Sequence, residues 1–161
     1  MSASIYNFPR HCGPQLVPAS AFNQNLRAIL SKKNWQDFRQ ACLAKHGAVC
    51  AFCAAKPKSL DCHEIWQYEV DEVDGICVQR LMEVLPLCKK CHQVCHIGFW
   101  SLKGPIEPII SHMAKVRKIA YSAAQAEIGA AFQTHSKLSD YNFILNIEAA
   151  ANYITKLGDK Q

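Results

Sequence analysis

The chain has 161 residues, half of them hydrophobic and 19% charged, with a formal net charge of +5. That length suits one domain with an ordinary core, and that composition excludes a disordered chain. No run reaches the roughly 18 apolar residues of a membrane span and no secretory leader is visible, so a soluble, cytoplasmic protein with no membrane partner is expected.

In chain order, residues 1–19 hold three prolines and little periodicity, and read as an irregular arm. Ser20 is placed to cap a helix carrying Phe22, Leu26, Ile29 and Leu30 at three-to-four spacing. Asn34, with Asp37 three residues on, reads as the cap of a second helix. Trp35, Phe38 and Cys42 form its apolar face, and Gly47 ends it. Residues 60–68 (LDCHEIWQY) and 76–87 have strand character and flank the acidic turn DEVDG, which predicts a hairpin. From Cys91 the pattern turns helical, with Gly98 as the expected stop. Beyond residue 105 the chain reads as helices. Ile106, Ile109, Ile110, Met113, Val116 and Ala120 form one face. Ser122 and Gln125 read as a capping box for a helix to about residue 135. A last helix from Ser139 or Asp140 is expected to carry Tyr141, Ile144, Leu145, Tyr153, Ile154 and Leu157.

The nine cysteines are an odd number, and in a reducing compartment they favour metal ligands and buried thiols over disulfides. Cys50-Ala-Phe-Cys53 and Cys88-Lys-Lys-Cys91 are two CxxC pairs, with residues 54–87 between them. Each pair can aim two thiolates at one ion, and two pairs complete the tetrahedral shell that zinc favours. Such a closed shell is structural. It would pin the start of the hairpin to the start of the following helix.

Two histidines are left over in LPLCKKCHQVCHIG. His92 and His96 share a helix face at i, i+4 spacing. His63, on the first predicted strand, is the best third ligand. Three protein ligands with open positions describe a catalytic divalent ion. His11, His46, His112 and His135 read as ordinary core or surface histidines. Cys12, Cys42, Cys62, Cys77 and Cys95 read as small buried apolar residues.

CxxC, then LDCHEIW, then LPLCKKCHQVCHIG resembles the HNH endonucleases, a ββα-metal family. The likeness covers about residues 48–99 and, more weakly, 34–154. It implies an α+β fold with a zinc-pinned ββα-metal core flanked by N-terminal and C-terminal helices. The implied organisation is an arm at 1–19, a nuclease domain with leading helices at 20–104, and a helical extension at 105–161 packed on the same domain. It implies metal-dependent hydrolysis of phosphodiester bonds, most readily in DNA, with structural Zn²⁺ and a catalytic Mg²⁺, Mn²⁺ or other divalent ion. On the matching positions His63, His92 and His96 bind that ion and Glu64 stands where the family has its general-base histidine. Glu83 falls at the position of the family's orienting asparagine. Glu64 can serve as the base or as a further ligand. A register one residue earlier makes His63 the base and Cys62 the ligand, and a retained fold without cleavage is the remaining alternative. That alternative is a zinc-binding module for nucleic acid or a partner protein, and a homodimer is compatible with either reading. Lys89, Lys90, Lys115, Arg117 and Lys118 are candidate phosphate contacts. Trp66 and Trp100 read as packing residues.

Overall fold

A computed structural model of the chain describes residues 3–154. It is α+β, built on a four-stranded sheet in the order β1-β2-β3-β4. β2 (Asp61–Val70) and β3 (Cys77–Leu87) form the expected antiparallel hairpin, running from the Val70–Cys77 pair to Asp61–Leu87. Its turn is held by Asp71, whose Oδ1 accepts from the N–H groups of Val73 and Asp74 at 2.9 and 3.1 Å.

The two outer strands depart from expectation. The arm contains a strand, β1 (Ser4–Asn7), antiparallel to the outer end of β2. The predicted last helix is instead β4 (Ile144–Asn146), parallel to Val78–Arg80 of β3, followed by α7 (Ala151–Ile154). The open edge of β3 offers hydrogen bonds that no local pattern announces, and that long-range pairing overrides a weak helical periodicity. Leu157 lies outside the described residues.

A bulge sets the two faces of the hairpin. Ile65 opposes Glu83 but Trp66 opposes Leu81, so Met82 is an extra residue in β3. One core therefore joins Cys77 and Leu81 before the bulge to Val84 after it, together with Trp66 and Tyr68. α2 (Lys32–His46) covers this face with Phe38 and Cys42. The other core carries Ile65, Leu85 and Leu87 against α3 (Lys89–Cys95), α4 (Ile97–Ser101), α5 (Glu107–Arg117) and α6 (Tyr121–Leu138).

Helix boundaries shift for local reasons. The helix expected from Ser20 is a single 3₁₀ turn and the short α1 (Leu26–Ile29). Asn25 caps α1, its side chain accepting from the Ala28 N–H at 2.9 Å. Polar side chains at 23–25 compete for backbone groups and break the run. Ser31, in extended geometry, caps α2 in place of Asn34. Ser122 lies inside α6, whose N-cap is Ala120, so the capping box does not form. Gly98 sits within α4 rather than stopping a helix. A Cβ there would meet Leu16 Cδ2 at 3.0 Å, so the glycine admits the arm against the helix.

Gly47 closes α2 with φ of 78° and open space around it. Its role is conformational. Gly47→Ala is expected to cost about 1 kcal/mol, because an L side chain disfavours positive φ. Urea unfolding followed by circular dichroism reads that loss.

A candidate metal centre on the hairpin

Cys50 and Cys53 lie in a tight turn before β2. The turn is closed by Ala54 N–H to Cys50 O at 2.9 Å, with Ala54 at φ 59°. Ala51 N–H bonds Pro86 O at 2.9 Å and ties this turn to the end of β3. Cys88 ends the hairpin as the N-cap of α3, and Cys91 follows in the first turn. The four sulfur atoms lie within 4.8 Å of one another and can hold a zinc ion. Cys53 and Cys88 Sγ are 3.6 Å apart. A tetrahedral zinc with Zn–S near 2.3 Å requires an edge of about 3.8 Å, and this pair already stands near it. A hydrogen bond from Cys91 draws the Cys50 thiol down to about 4, while hydrogen bonds to Cys12 and Cys50, and then burial, push Cys91 up.

The second cluster is made of imidazoles. His63 of β2 and His92 of α3 meet His96 at the end of α3, with ring centroids 4.6–5.1 Å apart. One nitrogen from each lies within 4.8 Å of the others. Burial lowers the pKa of all three, that of His96 to about 4, so they stand neutral with free lone pairs near pH 7.

Two of the three, His63 and His92, also have a ring nitrogen engaged by an acceptor. Gln15, 1% exposed, donates from Nε2 to Pro9 O at 2.8 Å. A carbonyl only accepts, so the amide orientation is settled and Gln15 Oε1 faces His63 Nε2 at 2.7 Å. His63 must donate from Nε2, which leaves Nδ1 unprotonated. Likewise His92 Nδ1 lies 3.2 Å from the Asp61 carboxylate, which leaves Nε2 unprotonated. A ligand imidazole normally donates its other N–H to such an acceptor, so the donor set suits a divalent ion. The arm reaches this place because Gln15 N–H bonds Cys95 O at 3.0 Å.

The other expected residues fall elsewhere. Among the described residues no carboxylate joins the three histidines. Glu64 points to the opposite side of β2 from His63, where its Oε1 accepts from the Leu26 N–H at 2.6 Å. Burial pushes its carboxyl up to about 7. Cys62 faces α2, with Sγ 3.9 Å from Arg39 O. Glu83 pairs with Arg10 at 3.6 Å. Trp66 is buried, as expected.

A cleft of about 1430 Å³ is lined by the three histidines and, from the opposite side of β2, by Glu64. Arg27, Lys32 and Arg39 line it as cations, and Phe99 and Trp100 as aromatics. Lys89, Lys90, Lys115, Arg117 and Lys118 do not line it. Arg117 instead bonds Glu127, and Lys90 and Lys115 flank His112. The sequence reading missed Gln15, Arg27, Lys32 and Arg39. No motif spacing marks them, since each belongs to the arm or to the helices before the knuckles.

Fold and clusters together define an α+β chain with four cysteines gathered where the hairpin meets the helix, and an imidazole cluster in a cleft. Comparison with protein-family models, with curated proteins and with solved structures gives no match to the chain.

Proposed function

We propose that the protein is a metal-dependent endonuclease of the HNH type that hydrolyses phosphodiester bonds, with DNA as its substrate. The carrying observation is the set of three neutral imidazoles, two of them with the second nitrogen held by a fixed acceptor. Support comes also from order: a knuckle, a strand bearing His63, a second knuckle, then a helix bearing His92 and His96. A divalent ion bound there supplies charge at a phosphate oxygen and a more acidic water. Gln15 and Asp61 hold His63 and His92 in the required tautomers. Arg27, Lys32 and Arg39 can receive the phosphate backbone in the cleft. Three imidazoles suit Zn²⁺ or Ni²⁺ better than Mg²⁺ or Mn²⁺, whose preferred ligands are oxygens.

Incubation with supercoiled plasmid tests the reading. Nicking is expected with Ni²⁺, weaker with Mn²⁺ or Mg²⁺, absent with EDTA, and lost in His92→Ala. Folded protein that nicks with none of these ions rejects it. Gln15→Leu removes the acceptor at His63, and a tenfold to hundredfold loss of Mn²⁺ affinity at the cluster is expected. Isothermal titration measures it.

A second reading, an HNH-like module that binds nucleic acid or a partner protein without cutting, is favoured by one observation. The residue in the general-base position, Glu64, is spent on a backbone N–H away from the histidines. DNA retained in a gel shift by protein that fails to nick would select it.

A further inference from the structure

Cys12 and His112 are two residues whose sequence context suggests no ligand role. Both converge on Cys91. Cys12 is 1% exposed and Cys91 wholly buried. Cys12, Cys91 and His112 offer ligand atoms that all lie within 4.8 Å of one another. His112 Nε2 stands 3.3 Å from Cys91 Sγ.

We propose that Cys12, Cys91 and His112 hold a second zinc ion that shares the Cys91 thiolate with the four-cysteine centre. The three donors come from three separate segments: the arm, α3 and α5. With Zn–N near 2.0 Å and Zn–S near 2.3 Å, a tetrahedral N···S edge is about 3.5 Å. The His112–Cys91 separation is close to that edge. The arm is anchored beside Cys12. Gln15 N–H bonds Cys95 O at 3.0 Å, and a Cβ at Gly13 would stand 3.2 Å from Pro9 Cγ and 3.3 Å from the His11 ring. Half-buried His112 leaves the fourth position of the second ion to water.

Charge supports sharing. Four thiolates around one dication leave two negative charges in a buried place. A fifth thiolate, a neutral imidazole and a second dication leave one, which lowers the cost of burial. Three protein ligands and a water are a normal zinc shell.

The proposal depends on the four-cysteine centre and not on the nuclease reading. It is tested by counting zinc per chain by native mass spectrometry in the full-length His92→Ala/His96→Ala protein, which lacks the imidazole cluster. Two zinc ions per chain are expected there. Adding Cys12→Ser or His112→Ala should reduce the count to one while near-ultraviolet circular dichroism is preserved. If Cys12→Ser fails to fold, half-buried His112→Ala decides. After exchange into ¹¹³Cd²⁺, two resonances split by mutual coupling through the shared sulfur are expected. One zinc per chain before either substitution, or two that survive His112→Ala, overturns the proposal.

Discussion

Cys88→Ser is expected to abolish cooperative folding. Cys88 is the residue at which β3 stops and α3 begins, so its thiolate joins the hairpin to the helix that carries His92 and His96. Zinc bound by four cysteines contributes apparent free energy of about 10–16 kcal/mol in small zinc domains. Whole domains retain only about 5–15 kcal/mol. Loss of the ion along with one of its four thiolates therefore removes an amount comparable to the entire margin. Without the ion, the buried Cys50 and Cys91 thiols must also find partners inside the core. Calorimetry should show no sharp transition, and the isolated variant should have lost the zinc of this centre. A melting temperature within a few degrees of the parent would mean that Leu87, Val94, Ile97 and Met113 hold the unit by packing alone.

Glu64→Gln is expected to stabilise the protein above neutral pH and to leave nicking within about tenfold of the parent. Burial raises the Glu64 carboxyl from 4.5 to about 7. Below pH 4.5 the group is protonated in both folded and unfolded chains. Between 4.5 and about 7 the unfolded chain releases its proton while the folded chain keeps it, so stability falls as pH rises. Above about 7 the loss is complete. It amounts to at most about 3.5 kcal/mol, since each unit is worth about 1.4 kcal/mol. Glutamine stays neutral and still accepts from the Leu26 N–H. Parent and variant share every other titrating group, so the difference between their stability profiles isolates Glu64. Urea midpoints at pH 5 and pH 8 should diverge in that direction. A loss of nicking by 10²-fold or more would instead make Glu64 the general base. Parallel stability curves would show that the carboxyl is solvated.

The central unit was legible because its signals are local. CxxC spacing places two sulfur atoms on one ion whatever surrounds them, and i, i+4 spacing places His92 and His96 on one helix face. Alternation in LDCHEIW, with the acidic turn after it, marked the hairpin. Period-two and period-3.6 patterns need no partner to be read. The outer parts were less legible. β1 and β4 exist because β2 and β3 offer edges to them, and those edges appear only once the hairpin has formed. The bulge at Met82 leaves no mark in composition, yet it decides which residues of β3 face α2.

The sequence by itself determined the two donor sets and the unit that carries them, because ligand spacing along a strand, a turn or a helix is fixed by backbone geometry. Only the tertiary structure decided what surrounds them. It turned Glu64 away from His63 and gave it to α1. It brought Gln15 from the arm to orient His63, and put Arg27, Lys32 and Arg39 on the cleft in place of the lysines nearer the knuckles. It set Cys12 and His112 beside Cys91. Each of these contacts joins residues distant along the chain, and the packing of whole elements, not the chemistry of any one residue, brings them within reach.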